Sequence, residues 1–271
     1  MYFPKNKKIK KILTIHDLNF LFDENKGLGK QKKYLGQIQE KINRADQVTV
    51  ISNFTLDCLK QHLNLNNKPV EVIYNGCIVN TEKRFFSKPG FINTNDKFLF
   101  SIGTIASKKN FHVLPALLKG NEFKLVISGI VQDQDYYNKI IIEAKRHNVE
   151  DRLILSGPIT EAEKWWLMAN TSGFLFPSLA EGFGIPVVEA MNFGMPILLS
   201  THTSLPEIGQ SAAYYFNSFD PDSMQQVLKD SLSHFENEKN QKNIIIKRAS
   251  DFNWAKSAEA YINIYKKIEN Q

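Results

Sequence analysis

The chain has 271 residues, of which 42% are hydrophobic and 23% charged, so it can bury a core and is not predominantly disordered. No run of about 18 apolar residues occurs, which predicts that no helix spans a membrane, and residues 1–11 lack the apolar segment of a secretory signal. The net charge of +6 favours anionic partners without choosing among nucleotides, nucleic acid and acidic lipid, and the two cysteines, Cys58 and Cys77, predict reduced thiols in a cytoplasmic protein.

Apolar runs alternate with helical patterns through the first part of the chain. Strands are predicted at residues 12–15, 47–51 and 70–74, and helices at about 30–45 and 54–63. Ser52 and Asn53 are the expected cap of the second helix, and the turn dipeptide Asn75-Gly76 ends the third strand. Residues 81–96 are polar and aperiodic, which predicts a linker.

The alternation resumes in the second part of the chain. Strands are predicted at residues 98–102, 124–128, 152–155, 173–176, 196–200 and 213–216. Helices are predicted from 110, at about 133–147, at 161–169 with Thr160 as cap, at about 186–193, and from 220 onward. Short, nearly continuous apolar strands separated by helices predict a doubly wound α/β architecture with parallel sheets covered on both faces. Ligands of such sheets bind beyond the carboxyl ends of the strands.

Residues 177–190 follow a strand and open a helix. Gly182 and Gly184 let the backbone approach a ligand closely, and Pro186 suits the first helical position, where a missing N–H costs nothing. The exposed N–H groups and the helix N-terminus form a site for a phosphate or a polar sugar.

Two glutamates frame this glycine-rich loop. Glu181 stands before it and Glu189 is expected in the first turn of the helix. A carboxylate accepts two hydroxyl hydrogen bonds, as a ribose or a hexose offers. The alternative is a strand-to-helix turn with two surface glutamates, and the loop alone does not decide between the two.

Residues 101–110 form a second loop between a strand and a helix. Gly103 permits close approach, and Lys108 and Lys109 stand at the helix entrance, where a lysine can neutralise a diphosphate leaving group. The alternative is a pair of solvated lysines. Two anion-friendly loops at equivalent ends of one sheet favour a nucleoside diphosphate.

Weaker signals follow other strands. The turn containing Gly157 and Ile159 has backbone groups that could contact a base edge, although a plain turn explains it equally well. His16 ends the first strand, where a neutral imidazole can hydrogen-bond a sugar hydroxyl. A lone histidine is more often structural, but the position of His16 at the carboxyl end of a strand favours a functional role.

Several patterns are better interpreted as structural. Asp133 and Asp135 resemble a metal-binding pair, but they sit where a helix begins and are expected to cap it. Trp165-Trp166 could stack on a base, but core or interface packing is favoured. The basic stretches at residues 5–11 and 26–33 are interpreted as solvated faces rather than a lipid-binding patch.

Together these segments resemble the retaining GT-B glycosyltransferases of family four, especially the bacterial mannosyl- and rhamnosyltransferase-like branch. The specific part is the pair of glutamates, Glu181 and Glu189, around Gly-Phe-Gly, and the other stretches occur in the family's order. The matching stretches are residues 14–17, 45–52, 72–76, 103–110, 177–190, 204–207 and 252–254.

The resemblance implies a GT-B-like fold of two Rossmann-like, doubly wound parallel-sheet domains. Its expected parts are a partial N-terminal domain at 1–80, a linker at 81–96, a nucleotide-sugar-binding domain at 97–250, and a C-terminal helix at 251–271 that crosses back to the first domain. The N-terminal domain is expected to be incomplete, because only three strands precede the linker and the family usually has several more. We therefore expect a truncated product or a component completed by another polypeptide.

The resemblance also implies residue roles. Glu189 would hold the ribose hydroxyls, Lys109 the diphosphate, and Glu181 and His16 the donor sugar, with His16, Lys109 and Glu181 as catalytic residues. The remaining donor-binding set is Gly103, Thr104, Lys108, Gly157, Ile159, Gly182, Phe183, Gly184 and Ile185. Thr104 stands where many members carry arginine, and Lys108 is the residue that could compensate. No metal and no cofactor beyond the donor substrate is expected.

These features predict a transferase that moves a sugar, with retention, from a nucleotide-diphosphate sugar to a glycan or lipid-linked acceptor in bacterial surface polysaccharide synthesis. We expect a cytoplasmic protein; a peripheral contact at the inner face of the membrane and an oligomer or completing polypeptide are left open. The alternative is a non-catalytic or partner-dependent nucleotide-sugar-binding fragment. An epimerase or phosphorylase is disfavoured because no lysine is placed for pyridoxal phosphate, and nucleic acid is not an expected partner because no basic stripe interleaved with aromatics is evident.

Overall fold

The computed structural model describes residues 9–22 and 26–269. Residues 5–8 of the first basic stretch lie outside this description. The strands are β1 Ile12–Ile15, β2 Gln47–Val50, β3 Val70–Val72, β4 Phe98–Ile102, β5 Lys124–Ser128, β6 Leu153–Gly157, β7 Gly173–Phe176, β8 Ile197–Ser200 and β9 Tyr214–Phe216. The α-helices are α1 Leu28–Arg44, α2 Asn53–His62, α3 Gln134–Arg146, α4 Glu161–Asn170, α5 Ile185–Met191, α6 Leu205–Gly209, α7 Pro221–Asn237, α8 Gln241–Ala249 and α9 Trp254–Glu269.

The chain divides into two compact units. The first comprises Met1–Cys77, Ala180–Phe183 and Phe252–Gln271, and the second comprises Ile78–Leu179 and Gly184–Asp251. Each unit has its own parallel sheet, with strand order β1-β2-β3 in the first and β6-β5-β4-β7-β8-β9 in the second. The predicted pair of parallel α/β sheets is confirmed.

Different helices cover the two faces of the first sheet. Leu13 of β1 is buried in one cluster with Ile42 of α1 and Leu59 of α2. Because side chains alternate along a strand, the next residue, Thr14, faces the other way, and its Oγ1 lies 3.0 Å from the hydroxyl of Tyr261 in α9. The C-terminal helix is therefore part of this unit's core, which explains the apolar runs of its strands.

The third strand is shorter than predicted. The sequence favours a strand to Tyr74, but β3 ends at Val72. The Tyr74 carbonyl instead accepts a hydrogen bond of 2.7 Å from Ser257 Oγ of α9. A side chain about 180 residues downstream thus takes the backbone group that a longer strand would have used.

The second sheet has the central order expected of a doubly wound fold. β4 pairs in parallel with both β5 and β7, so the chain moves outward on both sides of β4. One large cluster covers a face of this sheet, and its members include Leu99, Leu125, Leu175, Leu198, Phe111, Leu114, Tyr136, Ile140, Met224 and Leu228. The carboxyl ends of the central strands carry the loops that the sequence singled out.

The segment after β4 differs from its prediction. An α-helix is expected from Asn110, but Phe111–Leu118 form a 3-10 helix with Pro115 inside it. Proline lacks the N–H that an α-helical bond would use, and Asn110 itself is left-handed at φ 56°. Both features prevent a regular α-helix from starting at Asn110.

Local capping predictions are confirmed. Asp133 accepts a hydrogen bond from the Tyr136 amide at 3.0 Å, so it caps α3. Thr160 and Glu163 form a capping box at α4. The core interpretation of Trp165 holds as well, because this side chain is buried and its ring stacks on another aromatic ring.

Residues 81–96, predicted as a linker, lie within the second unit. They contain a 3-10 turn at Lys83–Phe85, and Ser87 donates its backbone N–H to the Ala162 carbonyl of α4 at 3.1 Å. Ile92 is buried. An apolar anchor in a polar stretch therefore holds much of this segment against its own unit.

Candidate functional site

Two glycine-containing loops lie side by side at the carboxyl edge of the second sheet. Gly103, after β4, donates its N–H to the Ser128 carbonyl at 2.9 Å, and Gly129, after β5, donates to the Gly157 carbonyl at 2.9 Å. Gly129 has φ +147°, and a Cβ there would overlap the carbonyl oxygen of Gly103. The edge is therefore built from backbone groups in close contact, which requires glycine.

Lys109 is the buried lysine of the loop after β4. It lies in a 3-10 turn, Ser107–Lys109, and is 9% exposed. Its Nζ lies 4.9 Å from the ring centroid of Phe176 at the end of β7. A Cβ added to Gly103 would lie only 3.2 Å from Lys109 Cε, so the lysine stem runs along the glycine backbone. The Lys109 side chain therefore packs directly on the backbone of Gly103.

The neighbouring residues of this loop are placed differently. The Lys108 side chain is exposed. This placement does not support the expectation that Lys108 compensates for the threonine at position 104. The Lys108 carbonyl accepts a 2.8 Å hydrogen bond from the Leu179 amide, which ties the loop after β4 to the loop after β7. Thr104 is half-buried.

Buried polar atoms without a hydrogen-bond partner adjoin this tie. They are Nδ2 of Asn110, directly after Lys109, and Oγ of Ser178, directly before Leu179. Unsatisfied buried groups are uncommon in proteins and mark strained or functional positions. Neither was singled out by sequence, since an asparagine and a serine in loops have no distinctive pattern.

Glu189 forms an ion pair that the sequence analysis missed. Lys164 Nζ of α4 donates to Glu189 Oε1 at 2.8 Å, and the two side chains are 10% and 14% exposed. Burial raises the pKa of Glu189, while the hydrogen bond and charge of Lys164 lower it and Glu161 raises it, so the pKa lies above its usual range. A lysine on the apolar side of α4, next to the buried Trp165, is the signal that could have identified this partner.

The start of α5 corrects two details of the prediction. The helix begins at Ile185 after Gly184, which has φ 101° and accepts a 2.9 Å hydrogen bond from the Val187 amide. Pro186 is therefore the second helical residue, and Glu189 lies beyond the first turn. Gly184 permits the earlier start, because its left-handed backbone lets the chain enter the helix before the proline.

In the first unit, Gly182 packs onto the end of β1. A Cβ at position 182 would lie 2.6 Å from the His16 carbonyl oxygen and 2.8 Å from Asp17 Cβ. Ser52 Oγ donates to the Gly182 carbonyl at 2.8 Å while accepting from the Thr55 amide at 3.1 Å. The expected cap of α2 therefore also holds the glycine loop, a second role that no local pattern predicts.

The remaining predicted residues of this unit are placed as follows. Phe183 is buried, with its ring centroid 6.0 Å from that of Tyr74 and 5.5 Å from that of Phe252. The His16 side chain is exposed, and Glu181 is half-buried. The structure therefore brings His16 and Gly182 together by backbone contact.

Gly157 is the last residue of β6, and Ile159 lies two residues further along the chain. Gly157 has φ +70° with open space where a side chain would be, and Ile159 is half-buried. Ile185, at the start of α5, is also half-buried. A cavity of about 540 Å³ lies elsewhere, between residues 117–123 and α7, and contains none of the predicted site residues.

Over residues 9–22 and 26–269, no three or more His, Cys, Asp or Glu side chains are grouped so that they could hold a metal ion. Over the same ranges, no helix combines the length and apolarity needed to cross a bilayer. The metal-free and cofactor-free site remains a prediction.

Two parallel-sheet α/β units of this kind are the fold of the GT-B glycosyltransferases. Residues 82–252 match the family Glycosyl transferases group 1, and residues 2–81 match Glycosyltransferase Family 4. Since the first match covers more than half of the chain, the chain belongs to the glycosyl transferases group 1 family.

Known relatives include bacterial mannosyltransferases. The serotype-specific mannosyltransferase WbdA of Escherichia coli is 26% identical over 96% of this chain and 34% of its own length. The O-antigen chain mannosyltransferase RfbU of Salmonella typhimurium is 24% identical over 83% of this chain and 63% of its own length. The chain thus spans about a third of WbdA and less than two thirds of RfbU.

Solved structures share the fold. Sucrose-phosphate synthase of Thermosynechococcus elongatus superposes with a TM-score of 0.78 at 18% identity, covering 96% of this chain and 68% of that one. HepE of Anabaena, in complex with UDP-glucose, gives a TM-score of 0.76 at 16% identity, covering 97% and 73%.

Proposed function

We propose that this chain carries the nucleotide-sugar-binding part of a glycosyltransferase that moves a hexose to a glycan or lipid-linked acceptor in bacterial surface polysaccharide synthesis. Family membership supports the reaction class, and the O-antigen mannosyltransferase relatives support the process. The observation that carries the proposal is the buried Lys109 lying along Gly103 at the carboxyl edge of the second sheet.

Lys109 supplies the charge that the reaction requires. Departure of a nucleoside diphosphate develops negative charge on phosphate oxygens, and a fixed cation stabilises that charge more strongly in a water-poor site than in bulk solvent. The stem of Lys109 is confined by Gly103 and Phe176, so little reorganisation is needed during the reaction. Thr104, Lys108 and the backbone of Gly184 and Ile185 remain proposed contacts of the phosphates or sugar.

Glu189 is proposed to accept hydrogen bonds from the ribose hydroxyls, and the turn at Gly157 and Ile159 to contact the base. For the first unit, His16, Glu181 and the backbone of Gly182 and Phe183 keep the roles toward the donor sugar that the family resemblance implies. Retention of configuration is likewise proposed from that resemblance. No metal ligand or separate cofactor enters the proposal.

The identity of the sugar is the next question. The names of the relatives favour mannose, whereas HepE was solved with UDP-glucose. Calorimetric titration of the chain with UDP-, GDP-, ADP- and dTDP-sugars, alongside Glu189→Ala and Lys109→Ala, tests donor binding. We expect one donor to bind and both substitutions to weaken it, while Lys229→Ala, an exposed lysine on α7, binds as the parent does.

Transfer is tested separately from binding. Incubation with the selected donor and a lipid-linked glycan acceptor, followed by NMR of the product, reports both turnover and anomeric configuration. A product whose new glycosidic bond has the same anomeric configuration as the donor supports retention, and a product of the opposite configuration contradicts it. Binding without transfer by this chain, with activity restored by a second polypeptide, would favour the partner-dependent fragment. Absence of binding to every donor would overturn the proposal.

A further inference from the structure

A buried ion pair joins α4 to α5 in the second unit. Lys164 Nζ lies 2.8 Å from Glu189 Oε1 and 2.9 Å from Glu161 Oε1. Glu161 is exposed, but the Lys164 and Glu189 side chains are only 10% and 14% exposed. One ammonium therefore links a surface carboxylate to a buried one.

Packing alone does not require a charge at this position. The other buried side chains of α4 include Trp165, Leu167 and Met168. Apolar side chains at both position 164 and position 189 would suit this interior, because replacing both partners of a buried ion pair with apolar groups is often neutral or stabilising. α4 is already fixed by its capping box at Thr160 and Glu163. The charge of Lys164 therefore points to a role beyond stability.

That role is explained by what Glu189 must do. An ionised Glu189 carboxyl accepts hydrogen bonds from two hydroxyls more strongly than a protonated one, and its burial opposes ionisation. Lys164 favours the charged form by its hydrogen bond and its charge. It also fixes one carboxylate oxygen, Oε1, which restricts the side chain to one orientation and leaves Oε2 to meet a ligand.

We propose that Lys164 is a positioning residue for nucleotide recognition: it holds Glu189 as an oriented carboxylate that accepts hydrogen bonds from the ribose of the donor. This inference rests on the proposed function, since it assigns Glu189 to the ribose. Lys164 acts through Glu189 and need not touch the nucleotide.

The decisive test is a double-mutant cycle on nucleotide binding. UDP, GDP, ADP and dTDP are titrated into the parent chain, and the nucleotide that binds is then titrated into Lys164→Met, Glu189→Gln and the double variant. We expect Lys164→Met to weaken binding about 10-fold, because a hydrogen bond to a charged group is lost. In the Glu189→Gln background the same substitution should have little further effect, because the carboxylate on which Lys164 acts is gone.

Two further variants separate charge from shape. Lys164→Arg keeps the positive charge and should recover most of the affinity. Lys124→Met is the matched control, because Lys124 also forms a 2.8 Å ion pair, with Asp96, in the same unit but at the start of β5. It should bind the nucleotide as the parent does, and thermal melting confirms that each variant is folded.

The pH dependence of binding supplies a readout that a purely structural role would not change. As pH falls, Glu189 is protonated and affinity decreases, and Lys164→Met should move this decrease to higher pH, because the lysine no longer favours the carboxylate. Glu161→Gln should move it to lower pH, because Glu161 acts in the opposite sense. The helices α6 and α8, which pack against α5, also carry charged residues. Arg248 of α8 donates to the Glu207 and Ile208 carbonyls of α6, and Lys242 of α8 lies along Gly194.

The outcomes distinguish this inference from the proposed function. If UDP, GDP, ADP and dTDP all fail to bind the parent chain, the proposed function and the inference fall together. If a nucleotide binds and Glu189→Gln weakens it while Lys164→Met does not, only the inference is overturned. An equal loss from Lys164→Met in both backgrounds would also overturn it, since Lys164 would then act independently of Glu189.

Discussion

The backbone of Gly182 lies against the carbonyl of His16 so closely that a Cβ at position 182 would be 2.6 Å from that oxygen. The glycine in this loop is therefore needed for contact with the protein's own chain. Sequence reasoning assigned the same glycine to close approach of a ligand, and the structure gives an independent reason for its identity.

Gly182→Ala should displace the loop or the end of β1. We expect a loss of about 1–3 kcal/mol in the free energy of unfolding, typical of overpacking a tight contact. Urea unfolding followed by circular dichroism measures it. Gly36→Ala is the control in the same unit: Gly36 lies inside α1 with nothing within 4 Å, so alanine should stabilise by about 0.5–1 kcal/mol. Equal effects of the two substitutions would contradict the contact.

Ser52→Ala should remove three interactions at once, one of them a 2.9 Å hydrogen bond between the Ser52 and Thr55 hydroxyls. The hydroxyl caps α2 through the Thr55 amide and donates to the Gly182 carbonyl, so its loss should cost about 1–2 kcal/mol in thermal or urea unfolding. Ser250→Ala, which removes an exposed hydroxyl bonded to the Lys247 carbonyl, should change stability by no more than about 0.5 kcal/mol. A neutral Ser52→Ala variant would show that none of these bonds stabilises the unit.

Lys109→Ala should weaken a nucleoside diphosphate more than the corresponding monophosphate, because the proposed partner of this lysine is the diphosphate. The expected loss for the diphosphate is about 10- to 100-fold, from one hydrogen bond to a charged group. Calorimetry with UDP and UMP, or GDP and GMP, measures the difference, with Lys229→Ala as control. Similar losses for both nucleotides would contradict a contact with the second phosphate.

Glu189 should make stability depend on pH in a defined sense. Its folded pKa is raised by burial above the unfolded value, so the folded state binds the proton more tightly and stability from this group is lost as pH rises through that interval. Glu189→Gln resembles the protonated form. The melting temperature of Glu189→Gln minus that of the parent should therefore increase as pH rises from about 4.

Asp96 is the matched opposite for this experiment. Its pKa is lowered, first by the side-chain hydrogen bond from Lys124, so the stability it contributes is present above its unfolded pKa and is lost as pH falls through the folded value. Asp96→Asn should therefore lose stability relative to the parent as pH rises. If both variants drift in the same direction, the assignment for Glu189 is wrong.

The sequence was sufficient for features that depend on neighbouring residues. The strand positions follow from apolar runs, and the caps Asp133 and Thr160 bond to amides three residues away. The glycine-rich loops could be placed at strand ends because parallel α/β connections follow simple rules. The family could be recognised because its motifs lie within short segments.

Features that depend on distant parts of the chain could not be predicted in this way. Lys164 and Glu189 are 25 residues apart on separate helices, and Ser52 and Gly182 are 130 apart. The 3-10 segment after Asn110 is a local failure of the prediction, because Pro115 interrupts the apolar pattern that predicts an α-helix. In each case the deciding interaction is a single polar or steric contact that leaves no periodic trace.

The first unit is built from three segments that are separated along the chain. During synthesis on the ribosome, β1, β2 and β3 emerge early, but Phe183 and the α9 residues Ile264 and Ile268 that bury Ile73 emerge only much later. One face of the sheet formed by β1, β2 and β3 therefore stays uncovered while the second unit is translated. A nascent chain stalled before α9 should expose that apolar face to chaperones, and a gene fragment ending at Cys77 should yield an aggregation-prone polypeptide.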